Sequence, residues 1–166
     1  MKNKIKKEKI MRAKTVDESR AYHVQILTQG SINGYNRLFG GKLMEWIDIV
    51  AAVVARRHSG KNVTTALVDT LEFKGAAHPN DTVVLEGYIT FVGKTSMEVC
   101  VKTYVEELNG EKNLINTAYL VMVALDENEN PTAVPPLKLI SDEDEYEDLM
   151  AEKRYKRRAT AHLKSQ

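Results

Sequence analysis

One acidic residue stands in the middle of an otherwise apolar stretch and is the first candidate for chemistry. Asp48 is flanked by apolar residues on both sides in the run GGKLMEWIDIVAAVVARRH, residues 40–58. An ionised carboxylate among apolar neighbours costs roughly several kcal/mol unless it is paired or hydrogen-bonded. Asp48 is therefore either a general base or a structural acid that hydrogen-bonds a neighbouring loop.

Two further features lie close to Asp48 in the sequence. Gly40 and Gly41 would leave the first backbone N–H groups of a helix uncovered, where they can donate to a carbonyl oxygen that gains negative charge. The alternative is a simple tight turn. Glu45, three residues before Asp48, either shares a cleft with it or complements the helix dipole. An acid near an open helix start combines a base with a group that polarises a carbonyl. This combination predicts an enzyme that directs water to attack a carbonyl carbon.

The sequence offers no competing catalytic motif. No serine stands in a Gly-x-Ser-x-Gly setting, and the four histidines lack the spacing of metal ligands. Cys100 is the only cysteine and is expected to be a small buried hydrophobe in a strand. The segments GKNVTT and VGKTS each match part of a phosphate loop but lead into strands. We therefore predict no metal and no cofactor.

The remaining patterns predict the elements that position these residues. Residues 40–58 are apolar on almost every side, which is typical of a buried helix. Alternating and β-branched runs predict strands, and short turn-rich links favour antiparallel neighbours. An acidic start and a basic end predict an exposed C-terminal helix over residues 141–160. The predicted strands are residues 20–29, 62–73, 81–92, 95–107 and 113–125.

A strand, a loop, one long buried helix and four strands outline an α+β hotdog fold, in which an antiparallel sheet wraps around one long central helix. We predict a basic flexible arm over residues 1–15, a single hotdog domain over 16–137 and a charged C-terminal helix and tail over 138–166. One such layer leaves a sheet edge open, so we expect at least a dimer.

The bulk composition excludes some partners. The chain has 166 residues, a formal net charge of +1 and 43% hydrophobic residues, which is ordinary for a globular domain. The basic N-terminal stretch lacks the aromatic support of a nucleic-acid arm, so we expect no nucleic-acid partner. The longest apolar run, residues 47–55, is far shorter than a membrane span, and the N-terminus lacks an apolar signal. A cytoplasmic location without membrane contact is the expectation.

Three blocks of this sequence together resemble the acyl-CoA thioesterase family of hotdog proteins, the group of cytosolic long-chain acyl-CoA hydrolases and their bacterial single-domain relatives. The blocks are NGYNRLFGGKLMEWIDIVAAVVARRHSG from Asn33 onward, then VTTALVDTLEF, then VGKTSMEV. The resemblance covers about residues 15–137. It implies hydrolysis of fatty acyl-CoA to a free fatty acid and coenzyme A, with coenzyme A as part of the substrate rather than a cofactor.

The resemblance also implies roles for individual residues. Asp48 matches the catalytic acid, and Asn33 matches a polar position that faces the thioester across a dimer interface. Gly40 and Gly41 match glycines whose amides polarise the thioester carbonyl. The resemblance further implies a homo-oligomer, either a dimer or a trimer of dimers. The substrate- and coenzyme-binding residues are Arg57 and His58 at the helix end, Thr65, and the turn Gly93, Lys94, Thr95 and Ser96 along the pantetheine arm.

Two other functions remain open for a chain of this fold. A non-catalytic acyl-CoA sensor would carry a DNA-binding module, and the fifteen to twenty residues before the first strand are too few for a helix-turn-helix unit. A hotdog enoyl-thioester hydratase requires a histidine in its acid–base pair. His58 is the only histidine in the helix of Asp48, and it stands at the far end.

Overall fold

The computed structural model describes residues 11–164, with side chains through residue 161. The predicted helices and strands occur in the predicted order, together with two additional two-residue strands. The long helix and the four strands after it lie within one or two residues of the predicted bounds, the first strand is shorter at its end, and the C-terminal helix ends four residues later than predicted. The elements are β1 (Lys14–Thr15), β2 (Ala21–Ile26), α1 (Gly40–Ser59), β3 (Asn62–Phe73), β4 (Thr82–Val92), β5 (Ser96–Glu106), β6 (Lys112–Leu125), β7 (Leu137–Lys138) and α2 (Asp142–Lys164).

The main sheet has five antiparallel strands in the order β2-β4-β5-β6-β3. The strands β4, β5 and β6 are neighbours joined by tight turns, as predicted. The expectation that β3 also lies beside its successor β4 is wrong, because β3 pairs with β6 at the opposite edge. The link 74–81 is long enough to cross the two intervening strands, since an extended residue spans about 3.3 Å.

The helix α1 lies on one face of this sheet and forms the core with it. Ile47 and Val54 of α1 are fully buried against inward-facing strand residues such as Val99. Gly87 on β4 permits the close approach, because a Cβ there would lie 2.5 Å from a methyl carbon of Val50. The helix ends at Gly60, whose φ of 68° is the left-handed conformation that glycine adopts without strain.

The prediction that α1 is covered on every side is wrong for the single chain. Gly41, Glu45, Asp48 and Ile49 are exposed, and Ile49 retains 51% of its accessible surface. The five strands curve around only part of the helix, so one stripe of it stays open beside the edge strand β3. The stripe contains the candidate catalytic acid.

The C-terminal helix α2 covers the other face of the sheet and is less exposed than predicted. Ala151 is fully buried, and Arg154 and Arg158 bind the carboxylate of Glu98, which is 1% exposed. Cys100, on the same face, is fully buried as expected, and burial raises the pKa of its thiol to about 11.

The predicted N-terminal arm overlaps the folded unit at its end. Lys14 and Thr15 form β1 and pair in parallel with Leu137 and Lys138 of β7, so they belong to the folded unit. Residues 1–10 of the predicted arm lie outside the described residues. Of the helices in the described part of the chain, none combines the length and the apolar character that a membrane crossing requires.

Candidate active site

The N-terminus of α1 offers unpaired backbone donors. The helix begins at Gly40 after Phe39, whose side chain makes no cap, and the first intrahelical bonds run from Lys42 and Leu43 to the Phe39 carbonyl. The amides of Gly40 and Gly41 therefore have no acceptor within the helix, and the helix dipole makes this end electropositive. Such amides can bind an oxygen that carries negative charge.

The two glycines have different steric roles. A Cβ on Gly40 would meet only the ring of Phe73, at an ordinary contact distance of 3.8 Å. A Cβ on Gly41 would lie 2.6 Å from the ring of Phe39, which covers that position. A side chain at Gly41 would therefore displace Phe39 from the helix start, whereas Gly40 keeps its amide open through its small size.

Among the described residues, one short hydrogen bond holds the side chain of Asp48. The hydroxyl of Thr65 on β3 donates to Oδ1 of Asp48 over 2.6 Å. Because that hydroxyl has one proton, its weaker contact with the Met122 sulfur at 3.6 Å is not a second donation. Oδ2 of Asp48 lies on the open stripe of α1. The carboxylate is thus oriented by β3 and presents its other oxygen to a ligand. Its neighbour Glu45 is engaged elsewhere, in an exposed ion pair with Lys42 at 2.8 Å.

Asn33 organises the loop before α1. Its Oδ1 accepts hydrogen bonds from the amides of Tyr35 and Arg37, at 2.9 and 3.2 Å, and Asn36 takes a left-handed φ of 58°. Within the described residues, the side-chain Nδ2 of Asn33 has no acceptor, so its two protons are available to a ligand. Asn33 and Gly40 line one cavity of about 240 Å³ with Leu43, Phe73 and Ile115.

The structure assembles the predicted catalytic residues in two separate groups. Asn33, Gly40 and Gly41 lie together at the helix start, and Asp48 and Thr65 lie together further along. Seven residues separate Gly41 from Asp48, which places them about 10 Å apart along the helix axis. The joint action of the acid and the glycine amides stays a prediction. Because both must lie within hydrogen-bond reach of the reacting atoms, one helix does not bring them to the same carbonyl.

The turn Gly93 to Ser96 lies at the same end of the sheet as Thr65. Ser96 on β5 pairs with Val123 on β6, and Val123 pairs with Thr64 on β3. The turn is therefore two strand spacings, about 10 Å, from β3. Gly93 donates to the Ser96 carbonyl at 2.8 Å, and its missing Cβ leaves room for the Ser96 hydroxyl. Gly93 and the exposed Lys94 also border a cavity of about 480 Å³ beside α2.

Arg57 and His58 lie away from this region. The Arg57 guanidinium donates to the Arg20 carbonyl, and the fully buried His58 ring bonds the Pro135 carbonyl at 2.9 Å. Burial lowers the pKa of His58, so the expected helix-end cation is a neutral ring. Asp48 precedes them by nine and ten residues, about 14 Å along the helix. Because the His58 side chain has no exposed surface, it cannot contact a ligand, and its role is to pack within the core.

Apolar side chains border the open stripe that carries Asp48. On the edge strand β3, Leu67, Val68 and Phe73 remain 43%, 38% and 54% exposed, with Val68 and Phe73 on the face toward α1 and Leu67 on the opposite face. An exposed apolar edge of this kind is a site for pairing with another chain. A further cavity of about 720 Å³ lies at the other end of α1 around Arg56 and Lys61, away from the candidate acid.

The structure adds to the prediction for two residues. The sequence predicts ligand binding for Thr65, whereas its hydroxyl bonds Asp48. Phe73, which lines the cavity at the helix start with Gly40, is outside the predicted site. A hydroxyl in the strand directly after an apolar helix is the sequence signal for Thr65. The position of Phe73 at the end of a strand does not by itself indicate a site.

Comparisons with known proteins place these features in a family. The model of the Thioesterase superfamily matches residues 35–110. A Bacillus subtilis protein described as the uncharacterized acyl-CoA thioester hydrolase YkhA is 46% identical over 104 residues, which cover 62% of this chain and 60% of that protein. The chain thus spans less than two thirds of that relative's length, and 20% of the length of mouse acyl-coenzyme A thioesterase 11.

Solved structures match over nearly the whole chain. An apo-hexameric acyl-CoA thioesterase has a TM-score of 0.88 and 33% identity, over 92% of this chain and 98% of that one. The acyl-CoA hydrolase of Staphylococcus aureus, solved with butyryl coenzyme A, coenzyme A and coenzyme A disulfide, has a TM-score of 0.87 and 30% identity, over 92% and 94%. In sequence and in fold, the chain belongs to the thioesterase superfamily of hotdog proteins, in the group of acyl-CoA thioester hydrolases.

Proposed function

We propose that this protein hydrolyses fatty acyl-CoA thioesters to a free fatty acid and coenzyme A. The observation that carries the proposal is the carboxylate of Asp48, held by Thr65 through one oxygen and open to a ligand through the other. A carboxylate fixed in this way can take a proton from water, which is the requirement for a general base.

The spacing of the site residues supports the same function. Three further structures of the Staphylococcus aureus hydrolase carry alanine in place of an asparagine, an aspartate and a threonine. In that enzyme the asparagine lies 15 residues before the aspartate, and the threonine lies 17 residues after it. Asn33, Asp48 and Thr65 have the same two intervals. The residues chosen for substitution there thus correspond to the two groups described for this chain.

The active site is completed by a second copy of the chain. The amides of Gly40 and Gly41 are too far from Asp48 of the same helix to share one carbonyl with it. In a dimer joined along β3, Asn33 and the glycine amides of one protomer meet Asp48 of the partner subunit. The exposed Leu67 and Val68 would be covered in that interface. The hexameric relative supports a further assembly of such dimers into a trimer of dimers.

The reaction follows from these positions and draws on groups of the chain alone. The thioester carbonyl oxygen accepts from the amides of Gly40 and Gly41, which stabilise the charge that develops on it. Asp48 of the partner subunit removes a proton from a water molecule, and the water oxygen bonds to the carbonyl carbon. The carbon–sulfur bond then breaks, and coenzyme A leaves as a thiolate. Asn33 donates through Nδ2 to the water or the substrate. The turn Gly93 to Ser96 lies along the pantetheine arm.

Release of the coenzyme A thiol from acyl-CoAs of several chain lengths tests the function directly. Turnover of at least one chain length by the purified protein is expected, and the protein should elute as a dimer or larger from a sizing column. Failure to release thiol from any of them would reject the hydrolase, and a fully active monomer at micromolar concentration would reject the shared site.

A further inference from the structure

An arginine without a partner lines the cavity at the helix start. Within residues 11–164, Arg37 and Arg56 donate no side-chain hydrogen bond, whereas every other arginine donates to a carboxylate or to a carbonyl. An arginine guanidinium stays charged and carries five N–H donors, whose spacing matches the two oxygens of a carboxylate. The two unpaired arginines are therefore the candidates for binding an anionic ligand.

The cavities beside these two arginines differ in charge. The cavity beside Arg56 is also lined by Asp126 and Glu127, and it lies at the negative end of the α1 dipole, so the charge of Arg56 is offset there. Among the described residues that line the cavity beside Arg37, none is acidic, and the amide of Gly40 brings the positive end of the dipole to it. The cavity of Arg37 therefore favours an anionic group.

The nearby acids of the same chain are engaged with other cations. Glu45, on the first turns of α1, pairs with Lys42 at 2.8 Å. Glu72, at the end of β3, pairs with Lys74 at 3.7 Å. The carboxylate that would complement Arg37 is therefore expected from outside the described part of the chain.

The loop before α1 fixes the backbone of Arg37 and leaves its side chain free to move. The Arg37 carbonyl accepts from the amide of Asn33 over 2.8 Å, and the Arg37 amide donates to Oδ1 of Asn33 over 3.2 Å. The next residue, Leu38, donates to the Ala77 carbonyl at 2.8 Å. Because Arg37 is exposed, its long side chain can turn toward a bound anion without any change in the loop.

Two parts of an acyl-CoA can carry the negative charge. The phosphates of coenzyme A are separated from the thioester by the whole pantetheine arm, so they lie outside a small cavity that contains the donors proposed for the thioester carbonyl. A carboxylate at the end of a short acyl group is only a few bonds from that carbonyl. At about 240 Å³, the cavity is below the range of about 300–1,000 Å³ that holds drug-sized ligands. A short acyl group with a terminal carboxylate fits both its size and its charge.

We propose that Arg37 selects short acyl-CoA esters whose acyl group ends in a carboxylate. This inference rests on the proposed thioesterase function, because it concerns the same cavity. The guanidinium would donate two N–H bonds to the acyl carboxylate, while the amides of Gly40 and Gly41 hold the thioester carbonyl. The acyl group would thus be bound at both of its ends, whereas a neutral acyl group of the same shape would be bound at one.

The test compares succinyl-CoA with 4-methylpentanoyl-CoA, and glutaryl-CoA with 5-methylhexanoyl-CoA. Within each pair, two methyl groups replace the two carboxylate oxygens. Thiol release, corrected for the rate without enzyme, gives kcat/KM, and calorimetry on the wild-type protein and on the slow Asp48→Asn protein gives the affinities. The wild-type protein should favour the carboxylate ester of at least one pair about tenfold or more, the contribution of a charge-assisted hydrogen bond.

Three variants assign this preference to one residue. Arg37→Met keeps an unbranched side chain and removes the charge, so the ratio of kcat/KM within a pair should fall to about one. Arg37→Lys keeps the charge without the two-pronged geometry and should retain part of the ratio. Arg56→Met is the matched control, because it makes the same change in net charge about 24 Å along α1 from Gly40, and it should keep the wild-type ratio.

The outcomes separate this selection from the proposed function. Equal kcat/KM and equal affinity within both pairs in the wild-type protein would overturn the selection, even if every ester is hydrolysed. An Arg37→Met protein that keeps the wild-type ratio, or that weakens both members of a pair equally, would overturn it too, and the second result would assign Arg37 to the coenzyme A phosphates. Preferential binding of a carboxylate ester that depends on Arg37, without release of thiol, would support the selection and reject the hydrolase.

Discussion

Thr65 and Asp48 join the edge strand of the sheet to the open stripe of the central helix through one 2.6 Å hydrogen bond. The bond engages one carboxylate oxygen of Asp48. The other oxygen remains available at the edge where we place the second copy of the chain. Because the bond joins the two elements that border that edge, it couples the orientation of the proposed general base to the packing of the proposed dimer.

Replacement of Asp48 by asparagine removes the proton acceptor and keeps the shape. We expect turnover to fall by about 10²–10⁴-fold, the usual contribution of a general base. The melting temperature should change little, because Asp48 is exposed and asparagine still accepts from Thr65. Glu45→Gln is the matched control, since it neutralises an exposed acid on the same stripe. If turnover fell in Glu45→Gln and stayed near the wild-type rate in Asp48→Asn, Glu45 rather than Asp48 would be the general base.

Replacement of Thr65 by valine tests its role as a positioning residue. Without the donor, Asp48 is no longer held in one orientation, and we expect kcat to fall about tenfold with a small effect on KM. Thr65→Ser keeps the hydroxyl and should restore most of the rate. The separate measurement of kcat and KM distinguishes this role from direct substrate binding, for which KM would rise and kcat would hold.

The buried His58 predicts a stability that depends on pH. Burial lowers the pKa of the folded ring below its unfolded value of about 6.5, so at low pH the unfolded chain binds a proton that the folded chain excludes. The stability that the neutral buried ring contributes is complete above the unfolded pKa, and it is lost as the pH falls below that pKa and through the lower folded pKa. We expect the wild-type melting temperature to fall more steeply than that of His58→Gln between pH 7 and pH 5.5. Parallel curves would contradict this.

The carboxylate of Glu98 fastens α2 to the sheet. It binds Arg154 at 2.8 Å, Arg158 at 2.7 Å and the Thr90 hydroxyl at 2.8 Å, and the carboxylate itself is 1% exposed. Removal of one partner from a buried ion pair costs about 3–5 kcal/mol, so Glu98→Gln should melt at least about 6 °C lower. Glu152→Gln breaks an exposed pair with Lys156 and should change little. Equal melting temperatures would show that α2 contributes no stability through Glu98.

The amino-acid sequence determined the elements of this fold and their order. The predicted strand 62–73 has the observed bounds Asn62–Phe73, and the helix predicted over 40–58 extends by a single residue. These features are local, since strand alternation, a glycine stop and an apolar run are encoded by neighbouring residues. For the same reason Asp48 and the glycine pair were recognisable from residue type and spacing alone.

Only the tertiary structure decided which of these residues meet. The pairing of β3 with β6, the bond from Thr65 to Asp48 and the burial of His58 all join residues that are far apart in the sequence. The separation of Gly41 from Asp48 depends on a straight helix. Local periodicity does not specify such contacts, because the same run of residues pairs equally well with more than one strand until the whole sheet fixes its order.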